Sequence, residues 1–297
     1  MTEDKKPIIL FVINPISGDE DKTDFKGKAQ KHQLSKKYNV EFFYTTGEDD
    51  ENKLSESVKQ LDPEICVAVG GDGTINLVAS TIANTNIKLG IIPGGSANGM
   101  AYELGIAKNI TKAMDLLVSP KTKRTDVLKI NDSHICLHLS DLGMNARIVR
   151  RFEEDDMRGL LGYAKQFFRE WDISKKFKCQ VNLKNGKNLK ENAVMLVIAN
   201  ASYFGTGVNI NPLGKLDDGK LDVIVIKPYP YWYIFKFIAA SVIGKLHQQE
   251  YVKVISAEEV NITVTPPQDL QIDGEVFHEQ TDIKATVLKH AIEVIVP

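Results

Sequence analysis

Over its first part the chain alternates between short, wholly apolar runs and longer stretches in which apolar residues recur every three or four positions. Ile8-Ile9-Leu10-Phe11-Val12-Ile13, Val40–Tyr44, Ile65–Val69 and Leu89-Gly90-Ile91-Ile92 are runs of strand length and read as buried strands. Between them lie a polar, Lys-rich helical region ending at Tyr38 and a helix near Asn52–Gln60. A third helix carries Ile75, Val78, Ala79 and Ile82 at i, i+3, i+4 and i+7. This βαβαβ rhythm predicts a parallel sheet with helices on both faces.

After about Thr125 the period changes. Phe177, Cys179, Val181 and Leu183 alternate with polar residues, as does Val260-Asn261-Ile262-Thr263-Val264, the pattern of half-buried strands. Ala193–Ala199, Leu221–Ile226 and Ile292–Val296 add strands, with turns at Lys184-Asn185-Gly186-Lys187 and Asp217-Asp218-Gly219-Lys220. Helices are expected near Leu160–Trp171 and Tyr231–Leu246. The expectation is an α/β domain over 1–125 followed by a β-rich, sandwich-like domain over 126–297.

The bulk numbers exclude more than they assign. With 43% hydrophobic and 26% charged residues, the chain is an ordinary globular protein. A net charge of −2 provides no global field for nucleic acid, so no nucleic-acid partner is expected. Cys66, Cys136 and Cys179 lie in apolar or alternating runs without metal spacing, as core residues of a reduced protein would. Met1–Lys6 runs straight into the first strand without a signal-peptide pattern, so a cytoplasmic location is expected, peripheral to a membrane at most. The apolar stretch Tyr229–Ile243, interrupted by Pro230 and Lys236, is shorter than the ~20 residues of a spanning helix. It reads as a helix packed on the β domain.

Candidate chemistry sits at two strand–glycine–helix turns. Val69-Gly70-Gly71-Asp72-Gly73-Thr74-Ile75-Asn76 follows the third strand, and Pro93-Gly94-Gly95-Ser96-Ala97-Asn98-Gly99 follows the fourth. Glycines admit close approach of a ligand, and a helix N-terminus favours an anion. A carboxylate such as Asp72 repels a bare phosphate, so its presence points to a metal ion or a hydroxyl proton, the alternative being a tight βα turn with Asp72 as a helix cap. Two such turns in one parallel sheet open on the same carboxyl edge. A third cluster, Gln271-Ile272-Asp273-Gly274-Glu275, is either a hairpin turn or a carboxylate able to take a hydroxyl proton.

In this order, the segments resemble the diacylglycerol-kinase catalytic family of lipid kinases, which includes bacterial diacylglycerol kinases, YegS-type lipid kinases and sphingosine kinases. The resemblance is carried by Asn14-Pro15-x-Ser17-Gly18, Gly70–Asn76, Pro93–Asn98, Arg124-x-Asp126, Asp217-Asp218-Gly219-x-Leu221-Asp222 and Asp273-Gly274-Glu275. It implies a first domain of the NAD-kinase and phosphofructokinase type. It also implies an ATP- and Mg2+-dependent kinase acting on a lipid hydroxyl, diacylglycerol or sphingoid in type.

The nucleotide would be met by Asn14, Pro15, Gly18, Thr45, Thr46, Gly70, Gly71, Asp72, Gly73, Thr74, Ile75, Asn76, Gly94, Gly95, Ser96 and Asn98. Asp72 and Asp126 would organise magnesium through water, and Asp273 or Glu275 would be the base. A structural divalent ion would take the Asp218 carboxylate with the carbonyls of Lys215 and Lys220. A lipid substrate implies transient contact with a membrane surface; whether the chain forms a homodimer is left open.

One residue departs from the bacterial pattern. Asn98 is followed by Gly99, where bacterial diacylglycerol kinases usually carry Asp. Sphingosine kinases also lack that acid, but the acid they place after a Gly-aromatic segment is missing at Gly143-Met144-Asn145-Ala146-Arg147. Two alternatives stand beside the lipid kinase, the first because the Gly70–Asn76 loop alone does not exclude it and the second because of Gly99. One is a soluble-substrate kinase of the Gly-Gly-Asp-Gly superfamily, NAD-kinase-like; the other is a non-catalytic nucleotide- or lipid-binding homologue.

Overall fold

The computed structural model describes residues 6–17, 25–95, 98–143, 146, 175–203 and 209–297. The helix expected near Leu160–Trp171 lies outside these residues, as do Gly18 and Ser96. The chain divides into two units, Met1–Thr125 with His290–Pro297, and Asp126–Lys289.

The first unit is built on parallel strands β1 (Ile8–Ile13), β2 (Asn39–Tyr44), β3 (Ile65–Gly70) and β4 (Lys88–Pro93), ordered β2-β1-β3-β4. β3 is buried along its whole length, as a central parallel strand covered on both faces must be, which is why it reads as an unbroken apolar run. Helices α1 (Phe25–Lys31), α2 (Leu34–Lys37), α3 (Asp50–Leu61), α4 (Asp72–Ile82), α5 (Gly99–Glu103) and α6 (Ile110–Leu116) connect or follow them. α4 buries the predicted stripe, Ile75, Val78, Ala79 and Ile82. α3 ends where Asp62 turns left-handed at φ 47° and its N–H closes on Val58 O, one residue before Pro63.

A correction follows from the last strand. Residues 290–297, assigned from the sequence to the second domain, belong to the first unit. Glu293 and Val294 pair in parallel with Lys88 and Leu89, and Asn84 N donates to Ala291 O (2.8 Å). The apolar run Ile292–Val296 shows that a strand exists but says nothing of its partner.

The second unit is antiparallel. β7 (Leu139–Gly143), β10 (Met195–Ala199), β11 (Leu221–Ile226) and β12 (Val252–Ala257) pair in sequence. β13 (Glu259–Ile272) joins β7, β8 (Phe177–Leu183) and β14 (Glu275–Val296), and β8 pairs with β9 (Asn188–Ala193). β5 (Lys121–Ile130), which runs across the division between the units, pairs through Leu128–Ile130 with β6 (His134–Cys136).

β10 and β11 explain the layering. Leu196, Ile198, Val223 and Val225 face the larger core, shared with Leu142, Phe177 and Ile262. Met195, Val197, Ile224 and Ile226 face a smaller core under helix α7 (Ile234–Val242). The period of two thus buries both faces, and a sandwich of strands carries a helical cover. The helix expected over Tyr231–Leu246 is a single 3-10 turn, Tyr231–Tyr233, followed by α7. It stops at Gly244, φ 67°, where Lys245 N donates to Ala240 O (2.7 Å).

Candidate active site

In the first unit, four strand ends define one edge. Asn14 follows β1, Thr45 and Thr46 follow β2, Gly71 follows β3 and Gly94 follows β4, and these strands are parallel neighbours. Asn14 N donates to Val69 O (3.1 Å), Gly94 N to Gly70 O (2.8 Å), and the Ser17 hydroxyl reaches Asn14 O and Gly94 O. Three motifs far apart in sequence therefore form one backbone cluster.

The glycines are required by this contact. A Cβ on Gly71 would stand 3.3 Å from Gly95 Cα, and one on Gly95 would overlap Gly71 Cα and come within 3.1 Å of Gly71 N. The two loops touch backbone to backbone. Gly73 differs: it is exposed and a Cβ there would meet nothing within 4 Å.

α4 begins after Gly71, which has no side chain to cap it. Among the described residues its first N–H groups therefore have no side-chain cap. Asp72 turns elsewhere, accepting from Gly99 N (2.9 Å) and Met100 N (3.1 Å) at the start of α5. Asn98, at φ 55°, clamps the second loop by accepting from Gly95 N (2.8 Å) and donating to Gly95 O (2.5 Å).

Some sequence-assigned contacts thus have structural work. Ile75 is wholly buried and its N–H donates to Gly71 O, so it enters the motif as core. Thr74 is buried against Gly70, while Asn76, partly exposed, accepts from the Ser80 hydroxyl through Oδ1. Pro15 is exposed. The Thr46 hydroxyl donates to Asp50, a residue absent from the sequence-based set, which also accepts from Thr46 N and Gly47 N. Desolvation pushes the Asp50 carboxyl up, but these N–H groups outweigh it and hold the carboxyl below its usual value.

In the second unit, Asp126 and the Asp217–Gly219 turn meet. Buried Asp126 accepts from Gly219 N through Oδ2 (2.6 Å), and its own N–H donates to Leu216 O (2.6 Å). Asp218 Oδ1 accepts from Lys220 N (3.0 Å), an Asx turn. Among the described residues no group of three His, Cys, Asp or Glu side chains could hold a metal.

The third cluster resolves into two roles. Asp273 and Gly274 have φ of 45° and 105°, and Ile272 pairs with Glu275, so they form the two-residue hairpin turn. The Asp273 carboxylate accepts from Leu137 N (2.6 Å), His138 N (3.0 Å), Leu139 N (3.1 Å) and Cys136 Sγ (3.4 Å). Burial first, and then Asp273, push the Cys136 thiol well above its usual range. In its satisfied orientation the Gln271 amide donates to Asp141 Oδ2 (3.1 Å) and accepts from Gly274 N (2.5 Å). The turn is pinned on both sides, and the Glu275 side chain next to it is exposed with no hydrogen bond or ion pair among the described residues.

Sequence reasoning missed Asn200. Buried at the end of β10, it donates to Asp126 O and Leu137 O, both at 2.9 Å, tying Asp126 to the segment that Asp273 holds. Its only signal in the sequence is a lone amide closing an apolar run.

A parallel α/β unit with glycine loops on one edge is joined in this chain to an antiparallel sandwich unit. The diacylglycerol kinase catalytic domain model matches residues 8–130, and the YegS C-terminal NAD kinase beta sandwich-like domain model matches 140–296. The chain belongs to the diacylglycerol kinase catalytic family, in its YegS-like form.

A relative in Pectobacterium atrosepticum, bearing the name Probable lipid kinase YegS-like, is 26% identical over 92% of this chain and 90% of its own. The fold is shared with a crystal structure of a diacylglycerol kinase from Bacillus anthracis (TM-score 0.75, 22% identity, 99% and 98% of the two chains). It is also shared with an NAD kinase from Archaeoglobus fulgidus in complex with ATP (TM-score 0.57, 13% identity, 97% and 93% covered). Among the described residues no helix is long and apolar enough to cross a membrane.

Proposed function

We propose that this protein is an ATP- and magnesium-dependent lipid kinase that transfers the γ-phosphate to a lipid hydroxyl of diacylglycerol or sphingoid type. The observation that carries the reading is the joined pair of glycine loops beside a helix start with no side-chain cap. Such a start offers N–H groups to phosphate oxygens. The Pectobacterium relative carries a lipid-kinase name, which supports the acceptor class.

Magnesium suits the donor set in one way only. Among the described residues there is no cage, but the ion commonly takes one or two carboxylates and completes its shell from the nucleotide and water. Asp72, beside both loops, is the carboxylate that would hold it in the first unit, with one lone pair on each oxygen engaged by α5. When bound, magnesium offsets the charge on the phosphoryl group.

The remaining work is assigned to side chains of this chain. Backbone N–H groups of Gly71, Asp72 and Gly73 orient the phosphates. Glu275 takes the proton of the lipid hydroxyl, and Asp273 with Gln271 fixes the turn from which it projects. Asp273 is given the structural part because its carboxylate already accepts three donors on Oδ1 and one on Oδ2, which hold the turn.

Transfer of label from γ-labelled ATP, with magnesium, to detergent-dispersed diacylglycerol, sphingosine, ceramide, phosphatidylglycerol or monoacylglycerol tests the reading. One phosphorylated lipid is the expected result. The fold shared with an NAD kinase favours a second reading, a soluble acceptor, so NAD and fructose 6-phosphate compete in the same assay. Preferential labelling of either would replace the lipid. ATP binding without any labelled product would leave a binding protein, in line with Gly99.

A further inference from the structure

α7 and the 3-10 turn before it are apolar on two opposite sides. Tyr233, Ile234, Phe237 and Ala240 pack inward on the smaller core. Outward, Tyr231, Trp232, Phe235, Ile238, Val242 and Ile243 are all exposed, with Phe235 at 74% and Val242 at 82%. Six of the ten large exposed hydrophobic residues described therefore lie on this one segment. Single exposed apolar side chains are ordinary, but a contiguous apolar face marks a contact surface. A helix that is hydrophobic all round is normally buried or in lipid, and this one is buried on one side only.

Charge identifies the occupant. Lys236 Nζ sits 5.2 Å from the ring centres of Trp232 and of Tyr233, at the margin of the face, and exposed Lys245 follows its end. No acidic residue lies between Tyr231 and Gln249, so Lys236 and Lys245 are the charges within this segment, in a chain whose net charge is −2. Aromatic rings at one end, aliphatic residues along the middle and lysines at the rim are the composition of an interfacial helix on an anionic bilayer. A second copy of this chain suits the face less well, because self-pairing sets the lysines against each other. With nine residues, α7 is about 14 Å long and lies on a bilayer of about 30 Å rather than crossing it.

We propose that the outer face of Tyr231–Ile243 is the surface by which this protein docks on anionic membranes. Docking goes beyond phosphoryl transfer and is independent of which acceptor is used. The test is cosedimentation of the full chain with vesicles of phosphatidylcholine alone and of phosphatidylcholine with phosphatidylglycerol. Wild type binds the mixed vesicles, more weakly as salt is raised. Phe235→Ser with Val242→Ser, both at exposed positions, keeps the wild-type melting temperature and loses at least ~10-fold in apparent affinity. Lys236→Gln with Lys245→Gln loses the preference for phosphatidylglycerol.

Equal binding by the serine double variant overturns the proposal, as does absence of wild-type binding to mixed vesicles. A dimer in sedimentation velocity that the serine variant dissociates, without vesicle binding, reassigns the face to a second copy. No arm reads phosphoryl transfer, so failure of the lipid-kinase reading leaves this result intact.

Discussion

Asp273 and Glu275 stand two residues apart and make opposite demands on mutation. Asp273→Asn keeps one carbonyl oxygen and turns an amide NH2 toward backbone donors. With the oxygen left at the Oδ1 position, His138 N and Leu139 N remain bonded, while Leu137 N faces another donor. Losing a hydrogen bond to a charged acceptor, and leaving its donor unsatisfied, costs about 2–4 kcal/mol in total. For a unit of this size, each kcal/mol moves the melting temperature by about 2–4 °C, so a fall of roughly 4–16 °C is expected. Glu275→Gln breaks no contact among the described residues and should melt like wild type. Its turnover should fall by at least ~100-fold, with ATP affinity unchanged, as loss of a general base does. Differential scanning calorimetry, paired with initial rates well below either melting point, separates the two effects. A stable Asp273→Asn without turnover, beside a fully active Glu275→Gln, would refute the assignment.

Three further outcomes are expected. Gly95→Ala forces a Cβ onto Gly71, an overpacking of about 1–3 kcal/mol, and should lower both melting temperature and ATP affinity; a native value for both would show that the loops do not touch. Gly73→Ala meets no protein atom, so it should fold normally yet weaken ATP binding if phosphate lies there, which isothermal titration measures. Burial pushes the Cys66 thiol up to about 12 and the Cys179 thiol to about 11, from 9.0 for both, so neither should react with a thiol reagent at neutral pH until the protein is denatured. Because the unfolded chain loses these protons first, stability held below pH 9.0 should decline as pH rises toward the folded values, which urea melts across that range will show.

Much of the first unit can be read directly from the chain. Strands β1, β3 and β4 are unbroken apolar runs because both faces of a parallel sheet are covered, and the α4 stripe is complete in Ile75, Val78, Ala79 and Ile82. Long-range partners are less legible. β5 begins with four exposed residues, and its apolar alternation is too short to announce a strand. Asp273 could not be separated from Glu275 because its partners, Leu137–Leu139, lie more than 130 residues away. The same holds for Asp72, whose use as a cap for α5 depends on two loops folding against each other.

β14 has a consequence for the order in which this protein can be made. Its residues 290–296 belong to the first unit, where Glu293 and Val294 supply the neighbour of β4. On the ribosome, β4 therefore emerges with one hydrogen-bonding edge bare and must wait for some two hundred further residues. At typical synthesis rates that wait is roughly ten to forty seconds. The first unit starts before the second and is completed only after it, so the nascent chain carries an open parallel edge while the second unit is being made.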